Sequence, residues 1–258
     1  MSQSNSLKIL LIPFPDFDTL DLYAPIECLD IGGSIGGLNI TFDVAAIRQP
    51  TLSHAKVPVH PNLTIAQAMQ QLDQYEIVIQ PGAGVPSVQK YLKEPETLGI
   101  DPKAVKQHLD LLLAFSQLTT LSPRGCQRVL MSICTGALVV GLSGAFGGKT
   151  VTTHYEGLKQ LKDNCQEAGK GPTTVLPDIG AGGWEGFAAA TKGSWRWVTT
   201  YQPDGVTVIS SGGISCGMDA SLFLVSELQV WKDGKTEKIG VAKAHEAARI
   251  MEYAWRWA

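Results

Sequence analysis

The sequence predicts an α/β fold, a doubly wound, mostly parallel sheet with helices on both faces. Short apolar runs that read as buried strands alternate with helical patterns along the whole chain. Glycine turns follow several of these runs directly, as they do at the carboxyl edge of such sheets. We expect a single domain over residues 1–258, with an excursion at about 155–197 and a C-terminal helix at about 237–257.

Composition narrows the functional class. Hydrophobic residues make up 44% and charged residues 17% of the 258 residues, as in an ordinary soluble globule. A net charge of −3 gives no basic field, so we expect neither a nucleic acid nor a membrane partner. Five cysteines without a C-x-x-C pair argue against a disulfide framework or zinc site, and we expect no metal or cofactor. Without a signal-like or membrane-length segment, a cytoplasmic location is expected.

The first half of the chain carries three predicted strands and three predicted helices. Apolar runs predict strands at residues 8–14 and 75–80, and an alternating pattern predicts one at 40–47. Helical spacing predicts helices at 20–29, 64–72 and 102–118. A glycine-rich turn is predicted at 32–37, after the first helix.

The second half continues the alternation. Strand patterns cover residues 129–133, 150–154 and 206–211, and helical patterns cover 135–142 and 218–231. The excursion carries Trp184 and Phe187 among glycines and alanines, and Trp195 and Trp197 follow at strand spacing. These aromatic side chains would line a pocket, or alternatively pack in the core or at a dimer contact.

A cysteine lies where a strand becomes a helix without an intervening loop. Cys134 joins the 129–133 strand to the 135–142 helix, with Ser132 and Gly136 as the small neighbours that a tight elbow requires. Such a turn strains the backbone and holds the side chain at the carboxyl edge of the sheet. First-turn N–H groups favour an anion, so we predict a nucleophilic, low-pKa thiolate. A buried structural cysteine is the alternative.

Three other segments end predicted strands at the same edge. Asp21 follows the first strand, residues 82–84 follow the 75–80 strand, and residues 212–213 follow the 206–211 strand. Because ligands of doubly wound folds bind beyond the carboxyl ends of the strands, we expect these segments to meet Cys134 in one cleft. The 82–84 loop would offer N–H groups to an oxyanion. The alternatives are a plain tight turn and, for Asp21, a carboxylate that complements a helix dipole.

Other motifs compete with this site. Gly213-x-Ser215-x-Gly217 matches a serine nucleophile elbow, but a hydrolase needs a downstream acid and histidine, and His245 is the sole candidate. The glycine-rich segment 144–150 precedes a strand and has Ser143 in place of the first glycine of a phosphate loop, so we reject it. His154 would serve as a base for Cys134 or as a structural residue, and we favour the structural role.

Taken together, the residues resemble a known superfamily. Ile133-Cys-Thr-Gly-Ala-Leu-Val, Thr152-Thr-His, Ser211-Gly-Gly-Ile and Leu20-Asp-Leu occur in the order found in the DJ-1/PfpI superfamily. Within it, the Cys-Thr-Gly and Leu-Asp-Leu patterns resemble the isonitrile hydratase subgroup and the sensor domains of some AraC-type regulators. The resemblance covers roughly residues 8–231, and the excursion looks longer than in the bacterial hydratases. It implies a flavodoxin-like fold and a homodimer.

The resemblance also implies roles for individual residues. Cys134 would be the nucleophile, Asp21 the acid that faces it, and Thr135 its polar neighbour. Thr135 stands where PfpI-type peptidases carry histidine, which argues against peptidase chemistry. The residues expected to bind the substrate or its oxyanion are Gly82, Ala83, Gly84 and Gly213.

These roles lead to a functional hypothesis. We expect a small-molecule substrate and a cysteine-dependent hydratase or lyase that acts on a small electrophilic carbon, with hydration of an isonitrile to an N-substituted formamide as the specific reaction. One alternative is a glyoxalase-type or hydrolytic enzyme, which would form lactate from methylglyoxal. Another alternative is a redox or ligand sensor without turnover. In that case peroxide would oxidise the Cys134 thiol stoichiometrically.

Overall fold

The computed structural model describes residues 5–176, 196–232 and 234–256. Its core is a seven-stranded sheet, accompanied by three two-stranded pairs. The strands are β1 (Ser6–Leu11), β2 (Asn39–Ala46), β3 (Thr51–Leu52), β4 (Pro58–Val59), β5 (Leu63–Thr64), β6 (Ile77–Gln80), β7 (Val129–Ser132), β8 (Thr150–Val151), β9 (Thr174–Val175), β10 (Trp197–Thr200), β11 (Thr207–Ser211), β12 (Gln229–Lys232) and β13 (Lys235–Lys238).

The large sheet has the strand order β10-β11-β7-β6-β1-β2-β5. Every neighbouring pair in it is parallel except β10 with β11, which is antiparallel. β1, β6, β7 and β11 end with buried residues, as expected for strands that are covered on both faces. The predicted doubly wound, mostly parallel sheet is confirmed.

Helices cover both faces of the sheet. α1, α7 and α8 pack together on one face, and α2 to α6 cover the other. The α-helices are α1 (Thr19–Gly36), α2 (Ile65–Gln70), α3 (Val85–Lys93), α4 (Pro102–Ser116), α5 (Gly136–Ser143), α6 (Leu158–Ala168), α7 (Ile214–Glu227) and α8 (Val241–Ile250), with short 3₁₀ helices at Leu72–Gln74, Pro95–Leu98 and Tyr155–Gly157. Within the described part of the chain, no helix combines the length and apolar character needed to cross a membrane.

The prediction of a glycine-rich turn at 32–37 is wrong, because α1 continues through Gly36. Its glycines are sites of close packing. A Cβ on Gly32 would lie 2.6 Å from the Val225 methyl groups of α7, and one on Gly33 would lie 2.5 Å from Ile40 of β2. The helix ends only at Gly37, whose φ of 83° is the left-handed conformation that glycine adopts readily.

The last predicted helices also need correction. The 218–231 helix begins earlier, at Ile214, and ends at Glu227, so its last predicted turn is instead strand β12. β12 pairs with β13 as a hairpin, and Gly240 with a φ of 86° starts the final helix. The C-terminal helix predicted at 237–257 is therefore only Val241–Ile250, since the hairpin uses its first residues.

The predicted excursion is partly described. Residues 155–176 hold a 3₁₀ turn, α6 and β9, and the 150–154 strand is reduced to Thr150–Val151. Trp184, Phe187 and Trp195 lie outside the described residues. Trp197 begins β10 and packs on Phe223 with ring centroids 5.5 Å apart.

One buried carboxylate connects three separate segments. Asp219 of α7 is fully buried and pairs with the Arg196 guanidinium just before β10. It also accepts the Tyr253 O–H at 3.0 Å and the Arg256 backbone N–H at 3.1 Å. These bonds tie the C-terminal segment and the sheet edge to α7.

Replacing this carboxylate should destabilise the fold strongly. We expect Asp219→Ala to lower the free energy of unfolding by about 3 kcal/mol, because the Arg196 charge loses its partner while it stays mostly buried. Urea denaturation measures the change. The control is Asp110→Ala, which breaks the exposed Lys106–Asp110 pair and should cost about 0.5 kcal/mol or less. Equal effects of the two substitutions would contradict this assignment.

Candidate active site

Cys134 occupies a strained elbow. It follows β7 and precedes α5 by two residues, with a φ of 53°. This left-handed conformation costs a residue with a Cβ about 1–2 kcal/mol. The Thr153 hydroxyl stabilises the elbow by donating to the Cys134 carbonyl oxygen at 2.8 Å. The predicted backbone strain at this position is confirmed.

Two glycines let the elbow pack directly on the loop that follows β6. A Cβ on Gly136 would lie 2.3 Å from the Gln80 carbonyl oxygen. A Cβ on Gly82 would lie 2.6 Å from both the Gly136 nitrogen and the Thr135 hydroxyl oxygen. Backbone therefore meets backbone here, and the loop packs directly against the Cys134 elbow.

Asp21 reaches the site from the first turn of α1 and is fully buried. The Gly82 N–H donates to its Oδ2 at 3.0 Å, while Oδ1 has no hydrogen-bond partner among the described residues. Burial, and to a lesser degree the Asp18 carboxylate, raise the pKa of Asp21 to about 8, against the Gly82 N–H that lowers it. Asp21 is thus a neutral acid at pH 7, and it lies beside the Cys134 thiol.

The prediction of a low-pKa thiolate is wrong for this resting site. Cys134 is 5% exposed, and its burial raises the pKa of the thiol well above the ordinary value. The negative charge of Asp21, when that group is ionised, raises this pKa further, whereas the Thr135 N–H lowers it. Loss of water outweighs the helix N-terminus, so sulfur and carboxyl both hold their protons.

The Thr135 side chain binds the backbone of the loop after β6. Its hydroxyl accepts the Ala83 N–H at 2.8 Å and donates to the Ala83 carbonyl oxygen. The Gly82 and Ala83 N–H groups, which we expected to stabilise an oxyanion, are therefore already used by Asp21 and Thr135. The N–H groups of Gly84 and Val85, at the start of α3, have no partner among the described residues.

These groups line one small cleft of about 130 Å³. Cys134, Thr135, Ala83 and Gly84 lie in its wall, so the structure brings together most of the expected residues. The remaining lining residues, which sequence reasoning did not assign to the site, are Asp18, Val85, His154, Glu156 and Ile214. Asp18 caps α1 by accepting the Leu20 N–H at 3.0 Å, a spacing that could have indicated its position.

His154 has two roles. The Glu156 N–H donates to its Nδ1 at 3.4 Å, so the ring caps a 3₁₀ turn, as the structural interpretation expected. It also faces the cleft, and burial lowers the pKa of His154, which favours the neutral ring. Gly213 packs behind this ring, since a Cβ there would lie 2.8 Å from the His154 Cδ2. Its neighbour Ile214 contributes the side chain that lines the cleft.

A buried network supports the β6 loop from below. The Gln80 amide donates to the Pro81 and Ile12 carbonyl oxygens at 2.9 and 3.2 Å, so its Oε1 must accept from His108 at 2.7 Å. The other His108 nitrogen then accepts the Tyr91 hydroxyl at 2.7 Å. Burial lowers the pKa of His108 to about 3, which keeps the ring neutral and this pattern fixed.

The competing serine motif lacks this geometry. Ser215 is the second residue of α7, and its φ is not positive, so its backbone is unstrained. Its hydroxyl accepts from Arg196 at 3.1 Å, and His245 packs on the Trp255 ring with centroids 4.7 Å apart. Of the two motifs, Cys134 therefore has the strained elbow and Ser215 lies in an ordinary helical turn.

Comparison with known proteins finds similarity at the level of the fold. No protein-family model and no curated protein matches the chain. Solved structures with the same fold include a ThiJ/PfpI family protein from Pseudomonas syringae, with a TM-score of 0.62 and 16% identity over 98% of this chain and 77% of that one. Drosophila melanogaster DJ-1beta matches with 0.58 and 17% over 97% and 100%.

An AraC family transcriptional regulator from Pseudomonas putida matches with a TM-score of 0.56 and 13% identity, over 95% of this chain and 99% of that one. At these identities the likeness concerns architecture, and it spans nearly the whole chain. The chain therefore shares the flavodoxin-like α/β fold of these ThiJ/PfpI and DJ-1 structures.

Proposed function

We propose that the protein is a cysteine-dependent hydratase that acts on a small electrophilic carbon, with an isonitrile as its substrate. The observation that carries the proposal is the pairing of a strained, buried thiol with a neutral buried carboxyl, Cys134 with Asp21. A nucleophile beside an acid that holds its proton at pH 7 suits addition of S–H across an unsaturated carbon. The cleft of about 130 Å³ suits a compact reacting group.

The proposed reaction conserves atoms and electrons without a redox partner. The Cys134 sulfur bonds to the terminal isonitrile carbon while Asp21 gives that carbon a proton and takes the thiol proton, which leaves a thioimidate. Water then adds to the thioimidate carbon, and its hydrogen passes to nitrogen. The carbon–sulfur bond breaks, sulfur recovers a proton from the new hydroxyl, and an N-substituted formamide leaves.

The elbow and the α3 terminus each contribute to this reaction. The free N–H groups of Gly84 and Val85 would stabilise charge that develops on the substrate nitrogen or on the tetrahedral oxygen. Thr135 and Gly82 would act as positioning residues, since Thr135 holds the loop and the Gly82 N–H holds the Asp21 carboxyl. His154 lies at the cleft as a neutral ring and could orient the water.

Removing the thiol should abolish turnover. We expect Cys134→Ala to reduce formamide production from an alkyl isonitrile by at least about a thousandfold, because the covalent path is lost. Formamide is followed by proton NMR. Ser215→Ala is the matched control, since it removes the nucleophile of the competing motif and should retain full turnover.

Four results would contradict the proposal. Turnover that survives Cys134→Ala excludes the covalent mechanism, and turnover lost in Ser215→Ala favours the serine motif. If the wild type hydrates no isonitrile, lactate formation from methylglyoxal would favour the glyoxalase alternative. Stoichiometric oxidation of Cys134 by peroxide, with neither substrate turned over, would favour a sensor.

Asp21 should make stability depend on pH in the direction opposite to a salt-bridged carboxylate. Its pKa of about 8 in the folded state exceeds the ordinary value of 3.8, so its contribution is fully present below about pH 4. It is lost as the pH rises towards 8, because only the unfolded state ionises over that range. Asp21→Asn removes this loss.

We therefore expect wild type and Asp21→Asn to unfold with similar free energies at pH 4. By pH 8 the variant should be more stable by about 5 kcal/mol. Urea denaturation at several pH values measures the difference. The control is Asp110→Asn, at a partly exposed carboxylate of α4, which should show no such trend. A difference that stays constant with pH would show that Asp21 is already charged.

A further inference from the structure

A second and larger cavity lies next to the catalytic cleft. It is an open groove of about 670 Å³, within the size range of small-molecule sites. The two cavities are lined by neighbouring residues of the same two segments: Asp16 and Ser87 line the groove, whereas Asp18 and Val85 line the cleft. The Ser87 hydroxyl donates to the Asp16 carboxylate and so joins these segments.

The floor of the groove is apolar. Three prolines line it, Pro15, Pro50 and Pro86, together with Leu52 and Leu98. Leu52 is 43% exposed, so a large apolar side chain faces solvent at this place. A ligand with an aliphatic or aromatic body would remove this surface from water.

The rim of the groove has an excess of positive charge. Lys56 is balanced by Asp16, which it approaches within 3.2 Å, and the Asp16 carboxylate also faces His54 at 3.3 Å. Arg48 is different, because among the described residues its guanidinium donates only to main-chain oxygens, that of Gly99 at 2.9 Å and that of Leu98. These bonds fix the guanidinium in place without neutralising it.

Lys90 adds a second uncompensated cation on the same rim. It is exposed on α3 and pairs with no carboxylate within the described residues. With Arg48 it leaves the groove with two positive charges above an apolar floor. This combination complements an anion that carries an apolar body, and it disfavours a cation or a purely apolar molecule.

We propose that the groove binds a small organic carboxylate with an apolar body, and that this is the non-reacting half of the substrate. The second part rests on the proposed function, since it places the reacting group in the adjacent cleft. The substrate class then becomes an isonitrile that carries a carboxylate on an alkyl or aryl chain. Selectivity would come from Arg48 and Lys90, and the chemistry from Cys134.

A non-reacting probe tests the groove without turnover. Isothermal titration calorimetry would measure 4-phenylbutyrate binding to wild type and to Arg48→Gln/Lys90→Gln. We expect the double substitution to raise Kd about tenfold, because two partly exposed charge contacts are lost. Neutral 4-phenylbutanamide and acetate, which lack the charge and the apolar body respectively, should bind more weakly than 4-phenylbutyrate. The control is Lys103→Gln/Lys232→Gln, which removes two exposed cations outside the groove and should leave Kd unchanged.

Kinetics then link the groove to the cleft. An isonitrile with a terminal carboxylate should have a KM about tenfold lower than its methyl ester, and Arg48→Gln/Lys90→Gln should remove this difference while kcat stays the same. The proposal would be overturned if 4-phenylbutyrate did not bind, or if it bound the wild type and Arg48→Gln/Lys90→Gln equally. Loss of a dimer in the double variant without any binding would also overturn it, and would make the groove a contact between copies of this chain.

These outcomes separate the two proposals. If neither isonitrile is turned over but 4-phenylbutyrate binding still depends on Arg48 and Lys90, the proposed reaction is wrong and the anion site stands. If both isonitriles are hydrated with equal KM in the wild type, the reaction stands and the groove has no part in it.

Discussion

The site depends on one contact between two stretches of backbone. The loop after β6 and the elbow after β7 approach so closely that Gly82 and Gly136 have no room for a Cβ. This contact brings the loop N–H groups within reach of Asp21 on one side and Thr135 on the other. α1, the β6 loop and the elbow are thereby held together by short bonds, and the strained φ of Cys134 persists because its surroundings leave it no alternative.

Burial at that contact decides where the protons reside. A thiolate and a carboxylate side by side in a dry site would repel each other and lack solvation, so the resting pair keeps both protons. Under the proposed mechanism, the thiol would act as a nucleophile only when an electrophile accepts a proton from the pair. Such a site combines a strained backbone with a resting state in which neither group is charged.

Much of the fold and part of the site could be predicted from the sequence. Apolar runs identify strands because parallel strands are buried on both faces, and the strand–Cys134–helix junction identifies the elbow because no loop residue intervenes. The helical state of Gly32 could not be predicted, since it depends on Val225 nearly two hundred residues away. The pKa of Cys134 was predicted in the wrong direction because the depth of burial is a property of packing, which local spacing does not reveal.

The two elbow-like motifs show the limit of such spacing most clearly. Gly213-x-Ser215-x-Gly217 and Ser132-x-Cys134-x-Gly136 are equally good patterns, and each follows a buried strand of the same sheet. They differ in what lies against them. Gly136 meets the backbone of the neighbouring β6 loop, whereas Gly217 meets the Ile133 side chain, and α7 can begin at Ile214 without strain. The strained backbone occurs where a second loop packs against the turn, and among the described residues of the two motifs only Cys134 has it.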